Sequence, residues 1–328
     1  MVRALVCPGQ GSQSIGMGKL LADEYSSAKA VFEEVDDALG ENLSSLIWDG
    51  DIEELTLTQN AQPALMAMSL AALRGLESEG FKTDSCAYLA GHSLGEYSAL
   101  AMSKAISVSD AARLLRARGL AMQDAVPVGV GAMAAILGLN FATVQSLASE
   151  AQAAGICQAA NDNDPSQVVI SGEKAAVELA IELAKNLGAK RAIMLPVSAP
   201  FHCELMAPAA EKMKIELETI KIKPPIVPII SNVSAQAVSD PTQIKKLLVS
   251  QVTGSVRWRE SVIWMAKNKV DEIWEVGSGK ALSGMIRRID KNINLKNISS
   301  PEDIRLSLIH ISEPTRLRRI SYAVFCLK

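Results

Sequence analysis

The chain has 328 residues, of which 48% are hydrophobic and 21% are charged, enough for a buried core and about two domain lengths. A net charge of −3 argues against a nucleic-acid-binding protein, and no apolar run approaches the roughly 18 residues that a membrane helix needs. The five cysteines are scattered without a C-x-x-C pair, so neither a disulfide framework nor a zinc site is predicted. These features favour an α/β enzyme of the cytoplasm.

Apolar strands and amphipathic helices alternate through the first part of the chain. The predicted elements, in chain order, are a strand at 2–7, helices at 17–39 and 61–79, a strand at 87–90, and helices at 94–102 and 107–123. Ser107 and Asp110 have the spacing of a capping box, which places the start of the last of these helices. The two short strands are typical of a buried parallel sheet.

The order of elements changes after Pro127. The predicted elements there are a strand at 131–139, a helix at 142–153, strands at 156–160 and 167–171, a helix at 174–186 and a strand at 189–197. This βαββαβ order is typical of a ferredoxin-like unit, so we expect a small inserted subdomain at 128–198.

Alternation resumes beyond Pro200. The predicted elements are helices at 204–218, 241–250, 259–268 and 280–288, with strands at 226–231 and 271–276. The sequence therefore predicts an α/β core with a mostly parallel sheet, formed by 1–127 and 199–305 and interrupted by the small subdomain.

The last residues, Leu306 to Lys328, have a different character. The segments LSLIHISEPTR and ISYAVFCLK resemble the translated arms of a transposase-type sequencing adapter, in the right order around three variable residues. A real basic C-terminal extension that binds a partner is the alternative. We expect this segment to be adapter read-through that is not native, and we exclude it from the fold prediction.

The sharpest local signal is the G-x-S-x-G pattern Gly91-His92-Ser93-Leu94-Gly95, which lies between a predicted strand and a predicted helix. This setting is typical of a nucleophile elbow, in which small flanking residues permit a strained turn that exposes the serine hydroxyl. The backbone N–H of Leu94 would then face an oxyanion formed at Ser93. A loop serine between two structural glycines is the alternative interpretation.

A serine hydroxyl needs a general base to become a good nucleophile. Outside the excluded segment the chain has two histidines, His92 and His202. His92 adjoins Ser93 and should point away from it on such a turn, which leaves His202 as the candidate base.

A glycine-containing turn follows the first strand. Gly9-Gln10-Gly11 begins like a dinucleotide-binding motif, but Ser14 occupies the position of its third glycine. The turn is instead a candidate for presenting Gln10 and nearby backbone N–H groups to an oxyanion.

Six collinear motifs over about residues 2–300 resemble the malonyl-CoA:acyl carrier protein transacylase family. They are PGQGSQ, GHSLGE, an Arg-Gly pair in the following helix, GAMAAILGL, VSAPFH and EVGSGKALSG. The resemblance implies an α/β-hydrolase-like core with a ferredoxin-like insertion. It also implies a role in fatty acid biosynthesis.

The resemblance implies a role for each matched residue. Ser93 would be the nucleophile that takes the malonyl group, and His202 its general base. Gln10 and the Leu94 backbone would form the oxyanion hole. Arg118 would hold the malonyl carboxylate, for which its bidentate guanidinium is well suited.

Four further residues would support the site by the same resemblance. Gln251 would orient the catalytic histidine through its main-chain carbonyl, although the residues after Gln251 depart from the family's usual bulky ones. Asn161 would lie near the bound acyl group, Phe201 would crowd out a methyl branch, and His92 would lie beside the nucleophile.

The activity implied is transfer of malonyl from malonyl-CoA to the phosphopantetheine thiol of acyl carrier protein, through a malonyl-serine intermediate. The partners are then CoA and acyl carrier protein, with no metal or redox cofactor, no nucleic acid, no membrane and a monomeric state. Three alternatives stay open: a serine esterase or thioesterase, in which Asp162 or Asp164 would be the acid; an acyltransferase of a polyketide pathway; and a non-enzymatic carrier-binding scaffold.

Overall fold

The structure is a computed structural model, and it describes residues 1–127, 129–197 and 199–308. Within these residues the strands are β1 Arg3–Cys7, β2 Tyr88–Gly91, β3 Gly131–Leu137, β4 Cys157–Asp164, β5 Gln167–Glu173, β6 Arg191–Met194, β7 Ile229–Ile230, β8 Ala237–Val238, β9 Glu272–Val276 and β10 Asn294–Ile298. The helices are α1 Lys19–Glu24, α2 Ser26–Leu39, α3 Leu43–Asp49, α4 Ile52–Thr56, α5 Thr58–Ser78, α6 Gly95–Met102, α7 Val108–Asp124, α8 Phe141–Ala151, α9 Lys174–Asn186, α10 Ala207–Thr219, α11 Pro241–Thr253, α12 Trp258–Lys267, α13 Ala281–Ile289 and α14 Pro301–Leu308. None of these helices is long and apolar enough to cross a membrane.

A mostly parallel six-stranded sheet forms the core, in the order β10-β9-β1-β2-β7-β8, and only the β7–β8 pair is antiparallel. β1 pairs with β2 on one side and β9 on the other. Its Leu5 and Cys7 pack into one hydrophobic cluster, while Ala4 and Val6 pack into another on the opposite face. A central strand that is covered on both faces explains the apolar run from Ala4 to Cys7.

A second sheet is antiparallel and small, in the order β4-β5-β3-β6. Its strands and the helices α8 and α9 share a hydrophobic cluster of their own. The succession of elements in this part of the chain is the one that the sequence predicts.

Three predicted elements differ from the structure. The helix predicted at 17–39 is two helices, because Tyr25 between them is extended. The strand predicted at 226–231 is reduced to Ile229–Ile230, since Pro228 has no N–H to give to a sheet. The strand predicted at 189–197 ends at Met194, just before Pro196. The prediction also omitted α3, α4, β8, β10 and α14.

The structure has α14 continuing past Leu306, where the sequence analysis ends the core, to Leu308. Ser307 is buried, its carbonyl accepts a hydrogen bond from Lys296 Nζ at 3.1 Å, and Leu308 packs against the main core. The rest of the segment interpreted as adapter read-through, 309–328, lies outside the described residues.

Candidate active site

Ser93 lies in a tight turn between β2 and α6 and has a φ of +53°, which is unusual for a residue other than glycine. A Cβ at Gly91 would lie 1.9 Å from the Gly95 backbone, and a Cβ at Gly95 would lie 2.4 Å from the Cys7 carbonyl oxygen. Both glycines of the motif are therefore required for the backbone to turn so closely. Asn232 braces the turn: its Oδ1 accepts from Ser93 N at 2.7 Å, and its Nδ2 donates to the Gly91 carbonyl at 2.7 Å.

A chain of hydrogen bonds runs from Ser93 through His202 to Gln251. Ser93 Oγ lies 2.8 Å from His202 Nε2, and His202 Nδ1 lies 2.9 Å from the Gln251 main-chain oxygen. A carbonyl only accepts, so Nδ1 carries the proton and Nε2 is the acceptor for the serine hydroxyl. Burial, reinforced by the nearby positive charge of Arg118, lowers the pKa of His202 to about 3 and keeps its ring neutral.

Arg118 on α7 reaches the same serine and is 1% exposed. Its Nη2 donates to Ser93 Oγ at 3.0 Å and to Gln251 Oε1 at 2.9 Å, and its Nη1 donates to Gln62 Oε1 at 2.8 Å. It forms no ion pair with any carboxylate of the described residues. A buried guanidinium that donates to a hydroxyl and two amide oxygens, with no carboxylate in ion-pair contact, is able to take an incoming carboxylate as its counter-charge.

Gln10 and Leu94 both line the cavity above Ser93. The side-chain Nε2 of Gln10 donates to Thr58 Oγ1 at 3.3 Å. The backbone N–H groups of Gln10 and Leu94 have no acceptor within the described part of the chain. Two backbone donors at one cavity are what an oxyanion hole requires.

The cavity has a volume of about 420 Å³. Its walls are formed by loops and helices next to the six-stranded sheet and by strands of the small antiparallel sheet. Asn161 on β4 and Phe201, next to His202, contribute to its wall. His92 also lines it, but its Nε2 is 2.9 Å from Asn163 Oδ1 and the ring makes no hydrogen bond to Ser93. Eight of the nine residues that the sequence indicated therefore line one cavity, and the ninth, Gln251, contacts two of them, His202 and Arg118.

The two carboxylates that the esterase alternative would use do not contact His202. Asp162 pairs with Arg259 at 2.8 Å, and Asp164 pairs with Arg288 at 2.8 Å. The partner of His202 Nδ1 is instead a main-chain carbonyl.

Sequence reasoning missed three residues of this site: Gln62, Asn232 and Glu96. Glu96 is 2% exposed and its Oε2 accepts from Asn232 N at 3.1 Å and from Gln251 Nε2 at 2.8 Å. Burial raises the pKa of Glu96 to about 7. Its place in the motif GHSLGE was the one available signal, whereas nothing in the local sequence distinguishes Gln62 or Asn232.

Comparison with known proteins agrees with this geometry. The family model described as an acyl transferase domain matches residues 4–278. The malonyl CoA-acyl carrier protein transacylase of Bacillus subtilis (strain 168) is 47% identical over 311 residues, 94% of this chain and 97% of the relative.

Solved structures agree as well. An acyl-carrier-protein S-malonyltransferase from Bartonella henselae has 53% identity and a TM-score of 0.92, over 94% of this chain and 98% of its own. A malonyl-transacylase in complex with its type II PKS acyl-carrier protein has 40% identity and a TM-score of 0.91, over 94% and 99%. The chain therefore belongs to the acyl transferase family, among the malonyl CoA-acyl carrier protein transacylases.

Proposed function

We propose that the protein transfers a malonyl group from malonyl-CoA to the phosphopantetheine thiol of acyl carrier protein, through a malonyl ester on Ser93. The observation that carries this is the contact of Ser93 Oγ with both His202 Nε2 and the buried Arg118 guanidinium. One contact supplies a base for the nucleophile, and the other supplies a cation for a substrate carboxylate.

The reaction takes place in two similar halves. His202 Nε2 accepts the hydroxyl proton as Ser93 Oγ bonds to the thioester carbon, and it returns that proton to the CoA sulfur as the C–S bond breaks. The carrier thiol then gives its proton to His202 and attacks the ester, after which Ser93 leaves and recovers a proton. We assign the Nδ1 contact with the Gln251 carbonyl to holding the ring in the required tautomer.

The tetrahedral intermediates carry a negative oxygen that needs donors. The Leu94 N–H, at the start of α6, and the Gln10 backbone N–H are our candidates, supported by their lack of other acceptors in the described residues. The Gln10 side chain is less suited, because one of its two amide N–H groups is directed at Thr58 Oγ1.

The remaining assignments concern the acyl pocket and the architecture. We assign Arg118 to the malonyl carboxylate, Phe201 to exclusion of a methyl branch, and Asn161 and His92 to the pocket wall. We interpret 1–127 and 199–305 as an α/β-hydrolase-like core and 128–198 as a ferredoxin-like subdomain, a view that the β4-β5-β3-β6 strand order supports. We also propose that the enzyme works as a monomer in the cytoplasm, without a metal or redox cofactor.

Intact mass spectrometry after mixing with malonyl-CoA tests the proposal. A malonyl adduct on the wild-type protein, absent from Ser93→Ala, is expected, and addition of carrier protein should discharge it. The variant should stay folded because the change removes a single half-buried hydroxyl oxygen and leaves the turn backbone intact. Release of free malonate in place of transfer would favour the hydrolase instead, and an undiminished adduct on Ser93→Ala would exclude Ser93 as the nucleophile.

A further inference from the structure

The carboxyl group of Glu96 lies behind the nucleophile turn and takes part in none of the steps above. It follows Gly95, the first residue of α6, and is 2% exposed. Its Oε2 accepts hydrogen bonds from two separate parts of the chain, the side chain of Gln251 on α11 and the backbone of Asn232 after β7. Glu96 thus connects two residues that each contact Ser93.

The side-chain amide of Gln251 has its orientation fixed by these contacts. Its Nε2 donates to Glu96 Oε2 at 2.8 Å and to the Ser93 carbonyl at 3.0 Å, and its Oε1 accepts from Arg118 Nη2 at 2.9 Å. A flipped amide would turn its oxygen toward two acceptors and its NH₂ toward a guanidinium, which only donates. Glu96 is therefore one of two groups that keep the Gln251 oxygen facing Arg118.

We propose that Glu96 is a positioning residue for selection of the malonyl group: by accepting from Gln251 Nε2 it holds Gln251 Oε1 against Arg118, and so fixes the guanidinium beside Ser93 Oγ. This rests on the proposed function, in which Arg118 binds the substrate carboxylate. A fixed guanidinium meets that carboxylate without first losing side-chain freedom, which is the advantage of a preorganised site.

The second contact of Glu96 separates this role from general support of the site. Through Asn232 it braces the Ser93 turn, and a weaker brace would slow acylation by any acyl group. The Gln251 contact acts on Arg118, and therefore on substrates with a carboxylate. The ratio of kcat/KM for malonyl-CoA to that for acetyl-CoA isolates the Gln251 contact, because losses common to both substrates cancel.

Two variants of Glu96 separate the effect of its hydrogen bond to Gln251 from the effect of its side-chain size. Glu96→Met keeps an unbranched chain but has no oxygen, and we expect the malonyl-to-acetyl ratio for Ser93 acylation to fall roughly tenfold or more. Glu96→Gln keeps an acceptor oxygen and should hold the ratio within about threefold of wild type. Glu272→Met is the matched control: Glu272 is a buried carboxylate on β9 that pairs with Arg3, and its loss should leave the ratio unchanged.

Gln251→Met tests the same contact from its other end, and it applies even if Glu96→Met fails to fold. It leaves the main-chain carbonyl in place for His202 but removes the side-chain contact with Arg118, so the malonyl-to-acetyl ratio should fall as for Glu96→Met, whatever loss the two substrates share. An unchanged ratio in either folded variant would overturn the proposal. An equal fall in Glu96→Met and Glu96→Gln would also overturn it, because charge and not the hydrogen bond would then be responsible.

The Arg118→Ala background distinguishes this inference from the proposed function. If Glu96 acts through Arg118, Glu96→Met should change the ratio no further in that background. If Arg118→Ala alone leaves the ratio intact, the assignment of Arg118 in the proposed function fails, and this inference fails with it. If Arg118→Ala lowers the ratio and Glu96→Met does not, this inference fails alone.

Discussion

His202 Nδ1 donates its hydrogen bond to the main-chain oxygen of Gln251, at 2.9 Å, where a Ser-His-Asp site would have a carboxylate. A carbonyl fixes the tautomer of the ring as a carboxylate does, but it offers a dipole in place of a full negative charge. The positive charge of Arg118 nearby makes a protonated ring still less favourable, and the pKa of His202 is lowered accordingly. The base is therefore neutral before the reaction and is positively charged only while it carries the serine proton.

His202→Ala should lower the rate of Ser93 acylation by about 10²- to 10⁴-fold, the range for loss of a general base. Single-turnover mass spectrometry with malonyl-CoA measures it. His92→Ala should lower the acylation rate much less, because the His92 ring is hydrogen-bonded to Asn163 and not to Ser93. Survival of His202→Ala within a few-fold of wild type would place the base elsewhere, with His92 the next candidate.

Acidification should reveal two buried groups with opposite effects on stability. His202 has a pKa of about 3 in the folded protein and 6.5 as a free side chain, so between these values the unfolded state binds more protons and stability falls as pH falls. Glu96 has a pKa of about 7 in the folded protein against 4.5 free, so between 4.5 and 7 its contribution to stability rises as pH falls. The two contributions oppose each other from about pH 4.5 to 6.5.

Glu96→Gln removes one of these contributions, so this variant should lose stability on acidification more steeply than wild type, by up to about 1.4 kcal/mol per pH unit. His202→Ala should lose stability on acidification less steeply than wild type. Urea unfolding at several pH values between 4.5 and 6.5 measures both slopes. Three parallel stability curves would contradict the assignment of these pKa shifts.

The chain end offers a matched pair of truncations. Removal of 309–328 should leave the free energy of unfolding and the transfer rate unchanged, since that segment resembles a translated adapter. Removal from Leu306 onward should lower the free energy of unfolding by about 1–3 kcal/mol. It deletes the Ser307 carbonyl that accepts a hydrogen bond from Lys296, and it removes the packing of Leu308 against the core. Denaturant unfolding of the two truncated proteins measures the difference. Equal stability of the two would show that the end of α14 contributes nothing to the free energy of unfolding.

The sequence predicts those parts of the site that local chemistry determines. Ser93 is recognisable because neighbouring backbone segments approach Gly91 and Gly95 too closely to admit a side chain. This constraint requires glycine at two positions of a five-residue motif, which the sequence shows directly. Gln62 and Asn232 are not recognisable, because their roles depend on α5 and the end of β7 coming together around Arg118 and the turn. The same holds for β10, a partly exposed edge strand without a continuous apolar run.

Substrate choice should depend on Arg118. Malonyl-CoA differs from acetyl-CoA by a carboxylate, and burying that charge without a partner would cost several kcal/mol. Arg118→Ala should therefore weaken malonyl transfer by about 2–5 kcal/mol, the range for truncation of one partner of a buried charge pair. Acetyl transfer should suffer much less, because acetyl leaves the guanidinium without a counter-charge in the wild-type pocket.

The measurement is kcat/KM for malonyl-CoA, acetyl-CoA and methylmalonyl-CoA with wild type, Arg118→Ala and Arg118→Lys. Lysine keeps the charge but not the planar fork that contacts Ser93, Gln251 and Gln62 together, so it should recover only part of the malonyl activity. Wild type should also reject methylmalonyl-CoA, because we assign Phe201, which lines the cavity, to exclusion of a methyl branch. Equal losses for malonyl and acetyl in Arg118→Ala would mean that Arg118 supports the fold of the site and does not recognise the carboxylate.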